Sequence, residues 1–197
     1  MNRRRTSRKA ANRKDQIIEV GARLFAERGY HAVTLDEVAE ILEVSKGALY
    51  HHINRKEEIL REICNRGMKK TTKEMLDIRK SAISPKEKVR KIVHNLVNKA
   101  ALDRDKISVI WEQTNALPKR SQDAIRRQKK AVEVSLREIL REGVDNGEFK
   151  ISDIKIATFA ILGMCNWTYH WYQPERKSTP EQIADKILEL LEKGYLR

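Results

Sequence analysis

Apolar residues return every three or four positions along almost the whole chain, and strand-like alternation is nearly absent. In the first such segment Ile17, Val20, Leu24 and Phe25 share one face, and Gly29-Tyr30 ends it. A shorter segment offers Leu35, Val38, Ala39 and Leu42, just enough to pack on the first. The segment starts are marked by Thr34-Leu-Asp-Glu37, Asn54-Arg-Lys-Glu57, Ser84-Pro-Lys-Glu87 and Thr179-Pro-Glu-Gln182. Each sets a capping oxygen three residues before Glu or Gln, so that two backbone donors at the helix start are satisfied reciprocally. The pattern predicts an all-α fold of about nine helices, near 13–28, 35–42, 46–52, 55–80, 85–102, 105–115, 119–145, 153–172 and 180–192. The first three are short and closely joined, the later ones long and amphipathic. A boundary is expected near residue 53, with the fourth helix as connector.

Charge adds a partner to this picture. Across 197 residues, 41 Lys and Arg against 28 Asp and Glu leave +13, a field that favours polyanions. The excess is uneven: residues 1–12 carry Arg3, Arg4, Arg5, Arg8 and Lys9 and no acid, which reads as a disordered basic arm. No apolar stretch follows those charges as in a secretory signal. The longest apolar run, Ile156 to Cys165 broken by Thr158, is too short to span a bilayer, so no membrane partner is expected. Cys64 and Cys165 form neither a disulfide framework nor metal-ligand spacing. The expected setting is cytoplasmic.

The region 13–53 suggests how DNA would be met. After Glu43-Val44, Ser45 caps a third helix that opens with Lys46, Gly47 and Ala48. Two short helices with a tight joint, the second starting small and basic, have the shape of a helix-turn-helix. Small side chains there let the backbone approach a major groove. The stretch from Ile17 to Leu60, centred on LFAERGYHAVTLDEVAEILEVSKGALYHHINRKEEIL, resembles the DNA-binding domain of TetR-family transcriptional regulators. Two departures stand out: Glu43 where the family usually has glycine, and Ile53 where phenylalanine is frequent. The resemblance implies a homodimer on a double-stranded, palindromic DNA operator, with residues 54–197 forming a ligand-binding and dimerisation domain. It implies that Lys46, Gly47, Ala48 and His51 face base edges behind the Ser45 cap, while Thr34, Tyr50 and Lys56 hold phosphates. Each has a plainer reading: Thr34 as a cap, Tyr50 as a half-buried aromatic, Lys56 as a solvated charge.

Residues 54–197 hold no glycine-rich phosphate loop, HExxH motif or paired cysteines, and His94 has no nucleophile at a telling spacing. An enzyme is not expected, and no cofactor. The eighth helix is apolar nearly all round, which calls for burial on more than one face. Ile156, Ala160, Met164, Trp167 and Trp171 fall on one side; Ile154, Ala157, Ile161, Cys165, Thr168 and Tyr172 fall on the next. The last helix adds Ile183, Ile187, Leu190 and Leu191. Ile161, Cys165, Tyr172, Ile183, Ile187 and Leu190 are the dimer-seam candidates, with the choice of which face of 153–172 meets ligand and which meets the partner subunit left open. The segment GMCNWTYHWYQP resembles a motif of TetR-family repressors that answer to acyl-CoA thioesters and govern fatty-acid or steroid breakdown. That likeness implies an acyl-CoA inducer in an apolar tunnel with a basic rim. Trp111, Met164, Trp167, Trp171, Arg126 and Lys130 are the ligand-binding candidates, with Ile110 and Leu136 as further wall and Lys119, Arg120, Arg127, Lys129, Arg176 and Lys177 as further rim. An inducer of lipophilic-drug or aromatic type, and an architectural DNA-binding protein without inducer, remain the alternatives.

Overall fold

Three of the four capping signals are realised. Thr34 and Ser84 each accept from the backbone N–H of the glutamate three residues on, and each glutamate reaches back to the cap. Thr179 and Gln182 make the same reciprocal pair. The fourth is not formed: the helix after Asn54 starts one residue late, with Arg55 as an N-cap lacking a side-chain bond. Ile53 is fully buried just before it, and Lys56 just after it is tied to backbone carbonyls, so the chain turns in between these anchors.

The structure, a computed structural model, describes residues 2–175 and 178–193, and side chains from Arg13 onward. Among the described residues it is all-helical: α1 (Asn2–Arg28), α2 (Leu35–Ile41), α3 (Lys46–Tyr50), α4 (Lys56–Lys80), α5 (Pro85–Leu102), α6 (Arg104–Glu112), a 3-10 turn (Thr114–Ala116), α7 (Lys119–Asp145), α8 (Ile154–Trp171) and α9 (Pro180–Lys193). One boundary differs sharply from expectation. The stretch expected to be a disordered arm continues α1 back to Asn2. Its arginines, lysines and alanines are strong helix formers, and the segment elongates a helix already nucleated by the core.

The first helix ends at Gly29, whose φ of 78° lets the chain turn away. Phe25 and Tyr30 then pack edge to face. The long helices α4 and α7 run against each other, α5 is covered by α8 and α9, and α6 lies between α1 and α4. The α4–α6 contact depends on Gly67: a Cβ there would sit 2.6 Å from Cδ1 of Ile110. One apolar cluster runs from Ile17 and Phe25 through Ile59 and Ile63 to Ile110, Leu136 and Ile139. The helix-turn-helix end and the larger helical body are therefore packed through α1, α4 and α6 rather than strung on a linker.

Candidate nucleic-acid interface and ligand pocket

The joint between α2 and α3 explains how the chain manages without the usual glycine. Glu43 takes φ 54°, the left-handed conformation that glycine adopts freely. Its N–H donates to the Glu40 carbonyl and that of Val44 to the Ala39 carbonyl, the paired bonds that close a Schellman turn. The turn geometry is thus kept at a local cost. It leaves Ser45, Lys46, Gly47, Ala48 and His51 exposed together, with Tyr50 44% exposed and Leu49 buried beneath them. Ser45 accepts from the Ala48 N–H at 3.2 Å and holds the start of α3. A Cβ on Gly47 would meet nothing, so that corner is open to an approaching surface.

Two expected phosphate ligands are differently employed. The Lys56 ammonium donates to the carbonyls of Tyr30, His31 and Val33 at 2.9, 3.0 and 2.9 Å, and lies 4.6 Å from the Tyr30 ring centroid. An ammonium has three donors, and all three are spent on the turn between α1 and α2. In this structure Lys56 clamps the turn between α1 and α2. Thr34 likewise gives its hydroxyl and N–H to Glu37, whose carboxyl is held below its ordinary range first by the Thr34 backbone bond. Lys46 remains exposed and pairs with Asp36 at 2.6 Å, which raises its pKa.

In the larger body, α4, α5, α6, α7 and α8 enclose a cavity of about 60 Å³. Met68, Leu96, Ala100, Ile107, Ile110, Val132 and Leu162 make it apolar; Thr71, Lys99, Lys129, Asn166 and Trp111 bring polar atoms and a large ring. Lys129 sits with its ammonium 4.0 Å from the Trp111 ring centroid and 3.3 Å from the Ile110 carbonyl. Burial pushes its pKa down. Burial also lifts the Cys64 thiol to about 11, so this neighbour stays protonated and supplies no counter-charge. The same α6 that walls the cavity reaches the DNA-facing end. Lys106 pairs with Glu19 of α1 at 2.5 Å, and Gln113 accepts from the Tyr30 N–H at 3.4 Å.

The faces of α8 are assigned differently from the sequence reading. Ile161, Cys165 and Tyr172, expected at the seam, are buried inside the subunit, as are Ile183 and Ile187 of α9. The reason is α5, which packs against both helices and takes those stripes for the core. Of the expected seam residues only Leu190 is exposed. Conversely Trp167 and Trp171, expected in the pocket, are 58% and 46% exposed, with Trp167 stacked on His170. They lie on one open stripe with Ile156, Phe159, Ala160 and Gly163. Of the expected ligand residues, Trp111, Ile110 and Lys129 line the cavity. Met164 packs on the core, Leu136 is fully buried, and Arg126 and Lys130 are exposed and paired with Asp123 and Glu133. Arg176 and Lys177 lie outside the described residues. The sequence reading missed Leu162 and Asn166, on the third face of α8, together with Thr71 and Lys99. The signal available was the side opposite the tryptophans, where Leu162 and Tyr169 point inward. Tyr169 is buried, donates to Glu112 at 3.1 Å and has its pKa pushed up to about 12 by burial and then by that carboxylate.

Known proteins fit this arrangement of a helix-turn-helix and a pocketed helical body. Residues 17–63 match the family described as bacterial regulatory proteins, tetR family, and residues 82–195 match the tetracyclin repressor-like C-terminal domain. The chain belongs to the TetR family of DNA-binding transcriptional regulators, which are not enzymes. It is 26% identical over 193 residues to the HTH-type transcriptional repressor KstR2 of Mycolicibacterium smegmatis, covering 94% of this chain and 92% of that one. The crystal structure of the TetR-family regulator PfmR from Thermus thermophilus is similar at 31% identity and TM-score 0.84, over 92% of this chain and 99% of that one. The structure of AibR in complex with isovaleryl coenzyme A and operator DNA is similar at 29% identity and TM-score 0.80, over 91% and 97%. Among the described residues, no helix is long and apolar enough to cross a membrane.

Proposed function

We propose that this regulator is a repressor that grips a palindromic operator as a homodimer and lets go when a fatty acyl-CoA enters the cavity, so controlling genes of lipid breakdown. The observation that carries the reading is the double duty of α6. Ile107, Ile110 and Trp111 wall the cavity, while Lys106 and Gln113 hold α1 and the turn before α2. A ligand that pushes on α6 therefore acts on the seat of the helix-turn-helix. To release DNA it must prefer the released arrangement, since equal affinity for both shifts nothing. The likeness to AibR, seen with isovaleryl coenzyme A and operator DNA, supports an acyl-CoA inducer. Such a regulator works in the cytoplasm, beside the chromosome.

On DNA, Lys46, Gly47, Ala48 and His51 meet base edges and Tyr50 meets phosphate, with Lys56 and Thr34 holding the unit in shape. The seam is the open stripe of α8, Ile156, Phe159, Ala160, Gly163, Trp167 and Trp171, extended by Leu190 and Leu191 of α9. A contiguous apolar surface of this kind on an outer helix asks for a partner, and small residues at 160 and 163 let a second α8 approach closely. Trp167→Glu tests it by sedimentation: a wild-type dimer becoming a monomer that has lost operator binding is the expected result, and a dimer unaffected by the change rejects the seam.

The function itself is tested by operator release. With an operator selected from random DNA, acyl-CoAs of graded chain length are added to the complex, with lipophilic cations as the competing arm. Release by at least one acyl-CoA at micromolar concentration is expected. Release by the cations alone replaces the inducer class, and release by nothing favours an architectural role.

A further inference from the structure

Two lysines line the cavity, and their surroundings are opposite. Lys99 is already satisfied: it is ion-paired with Glu74 and donates to Thr71 Oγ1 at 3.1 Å. Lys129 is not. Among the described residues no carboxylate lies within ion-pair distance of it. Its ammonium has the Trp111 ring on one side and, on another, the Ile110 carbonyl at 3.3 Å. That carbonyl also accepts from Thr114 Oγ1 at 2.5 Å, and it carries no full charge to balance the ammonium. A partly buried cation with no anion carries a desolvation cost, which an incoming negative oxygen would offset. The walls around it limit what else can come. Apart from the Asn166 amide and Thr71 hydroxyl, the remaining lining is hydrocarbon and the Trp111 ring. About 60 Å³ holds a group of only a few carbon atoms, since a single water needs roughly 10–15 Å³ on this measure.

We propose that Lys129 anchors an acyl oxygen, and that the cavity takes a short acyl group whose carbonyl or carboxylate end lies against its ammonium beside Trp111. The shared chemistry is a short hydrocarbon branch ending in an oxygen that accepts from an ammonium. The source is either an acyl-CoA thioester or the free acid. Lys129 then turns from the Ile110 carbonyl toward the ligand, loosening the last turn of α6. The inference rests on the inducer reading above and adds to it the anchoring residue and the size of the acyl group.

Calorimetry on the full chain with isovaleryl-CoA and with sodium isovalerate tests it. Wild type is expected to bind at least one of the two. Lys129→Met should weaken that binding at least thirtyfold while leaving operator affinity and melting temperature no lower. Lys130→Met, one residue on and already paired with Glu133, should bind within twofold of wild type, which separates an anchor from a general loss of basic charge. Lys129→Gln keeps a donor without the charge. It should recover part of the thioester affinity and none of the carboxylate affinity, and it stands in if the methionine variant does not fold. Equal binding by Lys129→Met and wild type, or equal losses in Lys129→Met and Lys130→Met, overturns the anchor while the inducer reading survives. A wild type that binds neither short probe but is released from operator by a long-chain acyl-CoA overturns the short-acyl assignment. No response to any acyl compound removes the inducer reading and the anchor together.

Discussion

The helix-turn-helix end and the pocket treat positive charge in opposite ways. Lys56 is bound by three carbonyls and Lys46 by a carboxylate, so each of these cations near the DNA-facing surface has a partner from the chain itself. Lys129, deeper in the molecule, has an aromatic face and one shared carbonyl. The first kind of charge holds a local shape, Lys56 through charge-assisted bonds to the turn and Lys46 in an exposed, screened pair. The second kind is partly desolvated without an anionic partner, which costs stability until something anionic arrives. Matched charges build the turn, whereas Lys129 lacks an anion and is where we propose that the ligand is held.

The contrast can be broken most forcefully at Lys56. Lys56→Ala removes three charge-assisted bonds from the turn that seats α2. Destabilisation of about 2 kcal/mol in urea unfolding is expected, with operator affinity falling through misplacement of α3. A change below about 0.5 kcal/mol would return Lys56 to the role of a solvated charge. Lys129→Met has the opposite sign, stabilising by about 1 kcal/mol at neutral pH once the lost ring contact is set against the relieved burial. Because burial depresses the folded-state pKa of Lys129, the penalty is complete below that value. It is relieved as pH rises toward the unfolded value of 10.5, so the variant's advantage should disappear in alkaline solution. An advantage that persists above that pH would point to packing instead. Glu43→Gly should stabilise by about 0.5–1 kcal/mol, the left-handed strain being offset partly by the greater freedom of glycine when unfolded. Asp36→Asn should change stability least, leaving the urea midpoint where it is, because the Lys46 pair is exposed and screened. Freeing Lys46 should instead raise affinity for non-cognate DNA by about two- to fivefold in fluorescence anisotropy, one more cation being available to phosphate.

Much of the fold was legible because its punctuation is local. A Thr or Ser three residues before Glu or Gln needs only neighbours to act, and the boxes at Thr34, Ser84 and Thr179 formed as read. The helix-turn-helix was legible for the same reason, down to the departure at Glu43. What failed was tertiary. The periodicity of α8 gave its stripes correctly but not which neighbour covers each. Only the packing of α5 against α8 and α9 decides that Cys165 and Tyr172 go inward and Trp167 stays open. Tryptophan drew the ligand assignment because it is large and apolar, yet the cavity face belongs to Leu162 and Asn166. Lys129 was one basic residue among several on α7. Its neighbours Arg126 and Lys130 have acids three residues away in sequence, whereas its own surroundings come from α4 and α6.

The central claim is that Lys129 holds an unpaired charge for an acyl oxygen. An NMR titration of isotope-labelled lysine side chains, with the Lys129 signal assigned by its loss in Lys129→Met, measures that charge directly. A Lys129 pKa below the ordinary 10.5 is expected in the free protein, moving up toward that value when the acyl ligand is bound. A Lys129 that titrates normally without ligand, or that does not move when ligand binds, would contradict it.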